Sequence, residues 1–468
     1  MTFPDWVPDA VFYQIFPDRF ANGDPSNDPP NVQPWGSPPA VHGFQGGDLK
    51  GVIDRFDYLL DLGVNALYFT PLFQATSSHR YNTTDYYRID SKLGTEAGLQ
   101  ALLDLAHRNG VHVILDGVFN HCGRGFFAFN DLLENEAHSP YRDWFHVLRF
   151  PLDAYGPGEA RNYLAWWNFK SLPKFNTGNP AVRRYLLGVA RHWVRQGLDG
   201  WRLDVPNEIN DDSFWAEFRE TVKSANPNAY LVGEIWEADP RWVSPGHFDG
   251  LMNYPLREAL LGLIATARLD LRGFSKEIDR LFEIYTQEQM RSHYVPLGSH
   301  DTERVRSLCS GDPRKVRLML FFQFCFPGAP AIYYGDEIGL EGGKDPDSRR
   351  AFPWDETLWD QETHQLVRRL AGLRREITPL RRGDFDALPV PHSQGVYAFA
   401  RRHGDEAAVV AINPFGGTRS TRVPVESLGW LDGSEVIDVL TGKRRGVEEA
   451  AVRLRLAPYS GALLRLAR

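Results

Sequence analysis

The sequence has few cysteines and no excess of positive charge. Its 468 residues include three cysteines, Cys122, Cys309 and Cys325, which lie too far apart for a CxxC metal site and do not form the framework of a disulfide-rich protein. The 52 lysines and arginines are outnumbered by 60 aspartates and glutamates, which leaves a formal charge of −8. Because a protein that follows nucleic-acid phosphates normally has a basic face, this balance argues against nucleic-acid binding.

Long apolar runs and a basic leader are also absent. The most apolar stretch, residues 316–326, is too short to cross a bilayer, so we expect no membrane segment. Residues 1–9 have no basic region followed by an apolar run, which is the pattern of a signal peptide. Together with thiols that we expect to be reduced, these absences predict a cytoplasmic protein.

Aromatic residues, by contrast, are numerous in the sequence. They make up 13% of the chain, and several tryptophans fall in loop-like segments: Trp35, Trp166, Trp167, Trp236 and Trp354. Such rings either fill the core of a large protein or provide flat platforms for the faces of sugars.

Short apolar runs alternate with helix-length amphipathic segments over the first three quarters of the chain. About eight strand–helix steps can be counted, and an irregular stretch interrupts them after the third strand. Repeated βα units require a parallel sheet, and about eight of them favour a closed barrel. After about residue 380 the segments become short, rich in Val and Ile and separated by turns, which is typical of antiparallel sheets.

The predicted fold class is therefore α/β, a (β/α)8 TIM barrel with an insertion after strand 3 and a C-terminal antiparallel β domain. We assign residues 1–121 and 179–380 to the catalytic barrel and residues 122–178 to the insertion. Residues 381–468 are assigned to a C-terminal β-sandwich.

Four of the predicted strands end in ionisable residues. These are Asp116 and His121 at the third strand, Arg202 and Asp204 at the fourth, Glu234 at the fifth, and His300 and Asp301 at the seventh. A single charge of this kind would be a satisfied structural group, because a charge inside an apolar strand must be paired or solvated. Barrel enzymes, however, place their reacting groups where strands end and loops begin. The set therefore predicts one catalytic pocket.

Two of these carboxyl groups suit glycosidic bond cleavage. That reaction needs one carboxylate as nucleophile or base and one carboxylic acid to protonate the leaving oxygen, and the retaining version places them about 5–5.5 Å apart. Asp204 and Glu234 follow consecutive strands, and Arg202 points to the same side of its strand as Asp204, where it can hold that carboxylate ionised. A dry pocket would raise the pKa of Glu234, and Asp301 could bind sugar hydroxyls.

The segments at these strand ends resemble the four sequence regions of the α-amylase superfamily, glycoside hydrolase family thirteen, and the resemblance runs from about Val11 to the C-terminus. It implies that Asp204 is the nucleophile, Glu234 the general acid/base and Asp301 the transition-state stabiliser. It also implies that the sugar under attack is held by a further set of residues: Tyr81, Asp116, His121, Arg202 and His300. The insertion and the terminal module are similar to domains B and C of that family.

Three further segments are similar to those of neopullulanases, cyclomaltodextrinases and maltogenic amylases. They are residues 172–176, LPKFN for MPKLN; 205–208, VPNE for VANE; and 344–350, KDPDSRR for NDPxCR(R/K). In the last segment, Asp345 and Arg349 would contact the next sugar inward from the cleavage point, and Trp236 is added as a candidate sugar platform. That group usually has an N-terminal β-sandwich, which we expect to be absent because the first strand begins near Val11. The sequence is compatible with both a monomer and a dimer.

Carboxylate and amide side chains cluster in residues 22–28, and Gly46 and Asp48 follow before the first helix. By composition alone the cluster is a turn without an ion. The resemblance to the calcium loop of this group implies instead a structural Ca2+ ion with six ligand residues: Asn22, Asp24, Asn27, Asp28, Asp48 and the carbonyl of Gly46.

The predicted function is retaining hydrolysis of α-1,4, and as a further option α-1,6, glucosidic bonds in maltodextrins, cyclodextrins or pullulan. A 4-α-glucanotransferase or a sugar isomerase would use the same glycosyl-enzyme intermediate and is the first alternative. The second is an inactive sugar-binding or chaperone-like relative. Such relatives typically lack a catalytic carboxylate, whereas Asp204, Glu234 and Asp301 are all present.

Overall fold

Eight parallel strands form a barrel at the centre of the protein, for which the computed structural model describes residues 3–467. The strands are β1 (Phe12–Ile15), β2 (Ala66–Phe69), β3 (His112–Gly117), β4 (Gly200–Leu203), β5 (Tyr230–Gly233), β6 (Gly250–Leu251), β7 (Tyr294–Pro296) and β8 (Ala329–Tyr333). They pair in the order β6-β5-β4-β3-β2-β1-β8-β7, and one parallel bridge between Met252 and Tyr294 joins the two ends. The predicted barrel is confirmed.

The barrel strands are buried on both faces. Phe12 and Ile114 pack with other inward-facing side chains inside the barrel, whereas their neighbours Tyr13 and Val113 pack in the layer under the helices. Strands buried in this way are expected to be apolar throughout. A polar side chain within one of them is therefore a sign of a functional position.

The longer helices around the barrel begin after short polar side chains. The side chains of Thr95, Asn179, Asp211, Asp270, Asp312 and Asp360 accept hydrogen bonds from backbone N–H groups in the first turns of Glu96–Arg108, Pro180–Arg195, Asp212–Ala225, Leu271–Ile284, Pro313–Cys325 and Gln361–Glu376. Capping of this kind satisfies N–H groups that have no partner within the helix. Shorter helices are Pro17–Phe20, Gln287–Arg291, Val305–Leu308 and Thr378–Arg382, and Phe73–Ala75 pairs with Thr83–Ile89 in a hairpin.

Two helical segments of the barrel are interrupted. The first is divided into Leu49–Asp54 and Phe56–Asp61, because the backbone leaves helical geometry at Arg55. The second is Tyr254–Leu260, which continues into a π-helical turn, Leu261–Ala265. The helix Leu271–Ile284 follows, and its buried residues recur at helical spacing.

The insertion after β3 contains one α-helix, Phe127–Asn135, three short 3-10 helices and otherwise irregular chain. Isolated bridges hold it together, among them His121 with Lys174 and Ala165 with Pro173. Rings supply the packing, with Phe129 against both Phe145 and Tyr163. The bridge at His121 ties the insertion to the end of β3.

The C-terminal strands form an antiparallel sheet: β9 (Asp384–Ala387), β10 (Tyr397–His403), β11 (Glu406–Asn413), β12 (Arg419–Pro424), β13 (Glu435–Asp438), β14 (Arg444–Glu448), β15 (Ala451–Leu456) and β16 (Ser460–Leu466). They pair in the order β9-β10-β11-β16-β13-β14-β15-β12, and Ala398, Val423 and Leu464 belong to a core that these strands enclose. Tyr397 and Phe399, on the other face of β10, pack against Phe322 of the helix Pro313–Cys325.

That packing explains the most apolar run of the sequence. The helix Pro313–Cys325 lies between the barrel and the C-terminal sheet, so most of its side chains are buried. In residues 3–467 no helix is both long enough and apolar enough to span a bilayer.

Candidate active site

The predicted catalytic residues meet at the carboxyl ends of the barrel strands. Asp116 and Arg202 lie within β3 and β4, Asp204 and Glu234 directly follow β4 and β5, and Asp301 lies in the loop after β7. Parallel strands present these ends at the same edge of the barrel. The fold therefore brings side chains that are far apart in sequence into one pocket.

Arg202 is the centre of this pocket. Its Nη1 lies 2.8 Å from Oδ1 of Asp116 and 3.0 Å from Oδ1 of Asp204, and its Nη2 lies 2.7 Å from Oε1 of Glu234. One guanidinium thus touches three carboxyl groups, all of them buried. Because Asp204 and Glu234 contact the same side chain, they face each other at the same end of the barrel.

Glu234 has the environment of a general acid. Burial raises its pKa to about 7, with Arg202 opposing the shift and Asp301 adding to it. Its Oε2 accepts a hydrogen bond of 3.0 Å from the backbone N–H of Val205. Val205 has a φ of +36°, which a β-branched residue rarely adopts and which costs about 1–3 kcal/mol. The strained turn after Asp204 therefore helps to orient the carboxyl group of Glu234.

The charge of Arg202 is shared more widely than the sequence predicted. Burial raises the pKa of Asp204 well above its usual range, while Arg202 lowers it and Glu234 raises it further. One positive charge cannot neutralise three carboxylates in a dry site, so a proton on one of them relieves the repulsion. With that proton on Glu234, the carboxylates of Asp116 and Asp204 share the guanidinium.

A hydrogen-bonded group holds one wall of the pocket. Oδ2 of Asp116 accepts hydrogen bonds from the hydroxyls of Tyr68 at 2.6 Å and of Tyr81 at 2.7 Å. The Tyr81 hydroxyl also contacts Nε2 of His300, and the two rings are parallel with centroids 5.3 Å apart. The Gln14 amide lies 2.8 Å from Nδ1 of His300.

The sequence analysis missed Gln14 and Tyr68. If the Gln14 amide donates to Nδ1, the proton of His300 is on Nε2 and is donated to the hydroxyl oxygen of Tyr81. Burial lowers the pKa of His300 well below its usual range, so the ring is neutral. For Gln14 the available signal was a polar side chain in the otherwise apolar strand β1, whereas Tyr68 in β2 gave no signal of this kind.

Asp301 is linked to the predicted neighbouring-sugar residues through Arg349. Nη1 of Arg349 lies 3.0 Å from Oδ1 of Asp345, and Nη2 lies 3.5 Å from Oδ1 of Asp301. Nε of Arg349 donates to the carbonyl of His300 at 2.9 Å. Burial raises the pKa of Asp301, and Arg349 opposes that shift. Arg349 therefore joins the two carboxylates into one surface.

Rings extend the pocket on two other sides. The His121 ring stacks on Trp166 with centroids 5.5 Å apart, and burial lowers its pKa to about 3, so it is neutral. Its Nε2 is buried and has no hydrogen-bond partner among residues 3–467. Trp236 is 45% exposed and stacks on Tyr254 at 3.8 Å, so it presents a rigid face to solvent.

The remaining loop tryptophans lie in two other places. Trp167 is exposed and stacks on Trp166 at the edge of the insertion. Trp35 and Trp354 line a separate cleft of about 800 Å³ beside residues 22–28.

Comparison with known proteins identifies the family. The α-amylase catalytic domain matches residues 14–372. The chain belongs to the α-amylase family of glycoside hydrolases. This match and two similar enzymes of known name show that it is an enzyme of that family. A cyclomaltodextrinase of Geobacillus thermopakistaniensis is 43% identical over 97% of this chain and 76% of its own length. Neopullulanase 2 of Thermoactinomyces vulgaris is 42% identical over 99% of this chain and 78% of its own length.

Solved structures of this family have the same architecture. A cyclic α-maltosyl-(1→6)-maltose hydrolase from Arthrobacter globiformis, in complex with cyclic α-maltosyl-(1→6)-maltose, superposes with a TM-score of 0.91 at 40% identity. The protein Ttha1563 from Thermus thermophilus superposes with a TM-score of 0.93 at 44% identity. Each comparison covers 99% of this chain and 100% of the other.

In the predicted calcium loop of this glycoside hydrolase, some carboxylate oxygens already accept hydrogen bonds from protein groups. Asp48 accepts hydrogen bonds from the backbone N–H groups of Gly23 and Gly51 and from the side chain of Asn27, and Asp24 accepts from Ser26.

Of the other predicted ligands, Asn22 donates from Nδ2 to both carboxylate oxygens of Asp28, at 3.0 and 3.1 Å. Oδ1 of Asn27 is buried without a partner in the part of the chain that the structure describes. Asn22 and Asp28 meet over Gly46, where a Cβ would lie 2.2 Å from Oδ1 of Asp28. No cluster of three His, Cys, Asp or Glu side chains suited to a metal occurs in residues 3–467. Amide and carbonyl oxygens would have to contribute, which Ca2+ accepts.

Proposed function

We propose that this glycoside hydrolase cleaves α-1,4 and α-1,6 glucosidic bonds of short, cyclic or branched α-glucans with retention of configuration. The observation that carries the proposal is the contact of one guanidinium, that of Arg202, with both Asp204 and Glu234, combined with a pKa of about 7 for Glu234. The substrate class is supported by the relatives, which are named cyclomaltodextrinase and neopullulanase.

In the first step, Glu234 donates its proton to the glycosidic oxygen while a carboxylate oxygen of Asp204 forms a bond to the anomeric carbon. The bond between that carbon and the leaving oxygen breaks, and the product is a β-linked glycosyl ester on Asp204 together with a shortened glucan. Asp301 binds ring hydroxyls more strongly as the ring flattens. Asp116 holds Tyr81 and Gln14 holds His300, and these two side chains line the site of the sugar under attack.

In the second step, the ionised Glu234 accepts a proton from water, whose oxygen attacks the anomeric carbon and releases Asp204. Two inversions give the α-anomer. If the hydroxyl of another sugar replaces water, the same intermediate is transferred instead. The exposed face of Trp236 beside Glu234 is suited to hold such an acceptor.

A substrate panel tests this proposal. The enzyme should release oligosaccharides from β-cyclodextrin, pullulan and starch, and the first product detected by NMR should be the α-anomer. Panose from pullulan would indicate cleavage of α-1,4 bonds next to its α-1,6 linkages, and oligomers longer than maltotriose in a maltotriose digest would indicate transfer. Initial formation of the β-anomer would contradict retention, and no product from any of these glucans would refute the proposed function.

We further propose a structural Ca2+ ion held by the loop of residues 22–28 with Gly46 and Asp48. Binding to the folded state alone would stabilise it by about 2.7 kcal/mol at one hundred times the Kd. Calorimetry should therefore show a higher Tm in Ca2+ than in EGTA, with no such gain from Mg2+. Asp28→Asn should weaken the Ca2+-dependent gain, and the exposed Asp386→Asn should not. The same Tm before and after exhaustive chelation would contradict the ion.

We also infer a cytoplasmic location. The chain is 38% identical over 413 residues to the intracellular maltogenic amylase of Bacillus subtilis. Its cysteines, Cys122, Cys309 and Cys325, are buried free thiols, as expected in a reducing compartment.

A further inference from the structure

A second cleft, distinct from the one lined by Trp35 and Trp354, opens beside the catalytic pocket. It has a volume of about 700 Å³ and shares Asp301 and Asp345 with the pocket, so the two spaces are continuous. The other charged residues that line it are Arg257, Glu258, Arg268, Glu303 and Lys344. Neither the assigned catalytic residues nor those predicted to contact the neighbouring sugar account for these five.

One wall of the cleft is a helix that ends irregularly. The helix Tyr254–Leu260 continues into the π-helical turn Leu261–Ala265, and Ala267 has a left-handed φ of +52°. π-helical turns and left-handed non-glycine residues occur preferentially at functional sites. The wall is also rigid, since Nε of the buried Arg257 donates to the carbonyl of Leu297 at 2.6 Å, directly after β7.

The charges on this wall are already paired. Oε1 of Glu258 lies 2.6 Å from Nη1 of Arg257, and Oε2 lies 3.8 Å from Nη2 of Arg268. These pairs hold the side chains in place and leave donor and acceptor positions at the surface of the cleft.

Two further charged residues, Glu303 and Lys344, line the cleft. Neither Glu303 nor Lys344 has a side-chain hydrogen bond or ion pair with any residue of 3–467, whereas their neighbours Asp301 and Asp345 both contact Arg349. An unpaired lysine is common on a surface. Here, however, the ammonium and the carboxylate lie beside the two carboxylates that face the predicted sugar positions, and each can form charge-assisted hydrogen bonds with hydroxyls.

We propose that this cleft binds the third glucosyl unit of the substrate, counted from the cleavage point on the Asp345 side. The inference rests on the proposed function, in which Asp301 contacts the unit under attack and Asp345 the next one. The space beyond Asp345 then receives the following unit. Its lining mixes acidic and basic groups, which favours a neutral ligand whose hydroxyls both donate and accept.

The test compares 4-nitrophenyl α-glycosides with one, two and three glucosyl units, because each added unit extends away from the leaving group. In the wild-type enzyme, kcat/KM for release of 4-nitrophenol should rise by about three- to tenfold from the maltoside to the maltotrioside, as expected for hydrogen bonds to one more sugar. The double variant Glu303→Ala/Lys344→Ala should lose this gain and keep the wild-type value with the maltoside. Lys276→Ala, which removes an exposed lysine outside the cleft, should behave as wild type.

Binding provides a second readout. In an Asp204→Asn background, which cannot form the glycosyl ester, calorimetry should show tighter binding of the maltotrioside than of the maltoside, and the double variant should abolish the difference. Equal loss with the maltoside and the maltotrioside, or an unchanged gain in the double variant, would overturn the inference while the wild-type enzyme still hydrolyses α-glucans. A wild-type enzyme without any α-glucan hydrolysis would refute the proposed function first and this inference with it.

Discussion

Replacing Asp204 with asparagine is expected to lower kcat for α-glucan hydrolysis by at least about 10⁴-fold. The amide occupies almost the same space as the carboxylate but cannot form the covalent bond to the anomeric carbon. Arg202 keeps its contacts with Asp116 and Glu234, so the guanidinium is not left without a counter-ion. The Tm measured by calorimetry should therefore stay close to that of the wild type.

The matched control for this prediction is Asp386→Asn, an equivalent change in the C-terminal strand β9, which should leave kcat unchanged. Mass spectrometry of wild-type enzyme mixed briefly with a slow substrate should detect a glycosyl adduct on Asp204, and the variant should form none. A variant with a near-normal rate would contradict the assignment of Asp204 as the nucleophile.

Replacing Glu234 with glutamine should lower kcat/KM on maltodextrins by about 10²–10⁴-fold, because the leaving sugar would depart without a proton. Substrates with a 4-nitrophenyl leaving group, which departs as a stable anion, should lose much less in the first step. The ratio of the two rates separates loss of the acid from loss of binding. An equal loss on both substrate types would argue that Glu234 binds substrate instead of protonating the leaving oxygen.

The pH dependence gives an independent measure of the same group. Burial raises the pKa of Glu234 to about 7, and only the protonated form can act as an acid. As pH rises through that value, kcat/KM should therefore fall, by about tenfold per unit once most of the enzyme is ionised. This alkaline limb should be absent in Glu234→Gln. A profile that stays flat to pH 9 would contradict the raised pKa.

The catalytic residues could be predicted because their sequence neighbourhoods are distinctive. Asp116, Arg202 and Glu234 interrupt or end short apolar segments, and charges are rare in strands that are buried on both faces. The same argument applied to Gln14 in β1 would have found the partner of His300. Tyr68 gave no such signal, because a tyrosine in an apolar strand is usually a core residue. Only the structure shows that its hydroxyl donates a hydrogen bond to Asp116.

Apart from Asp301 and Asp345, the residues that line the second cleft could not be predicted. The π-helical turn Leu261–Ala265 depends on how the chain returns to the barrel after Thr266, whose N–H donates to the carbonyl of Leu261 five residues earlier. A hydrophobic pattern does not distinguish a π-helical turn from an α-helical one. Glu303 and Lys344 come together only because the loops after β7 and β8 are neighbours in the barrel.

The sequence by itself determined the order of βα units, the family resemblance and the chemical types available at each strand end. Those properties follow from local composition and spacing, which every segment carries independently. Only the tertiary structure decided that one guanidinium, that of Arg202, contacts Asp116, Asp204 and Glu234 together, and that burial raises the pKa of Glu234 to about 7 although Arg202 opposes the shift. Burial and distances between neighbouring strands set a pKa, and neither exists until the barrel has closed.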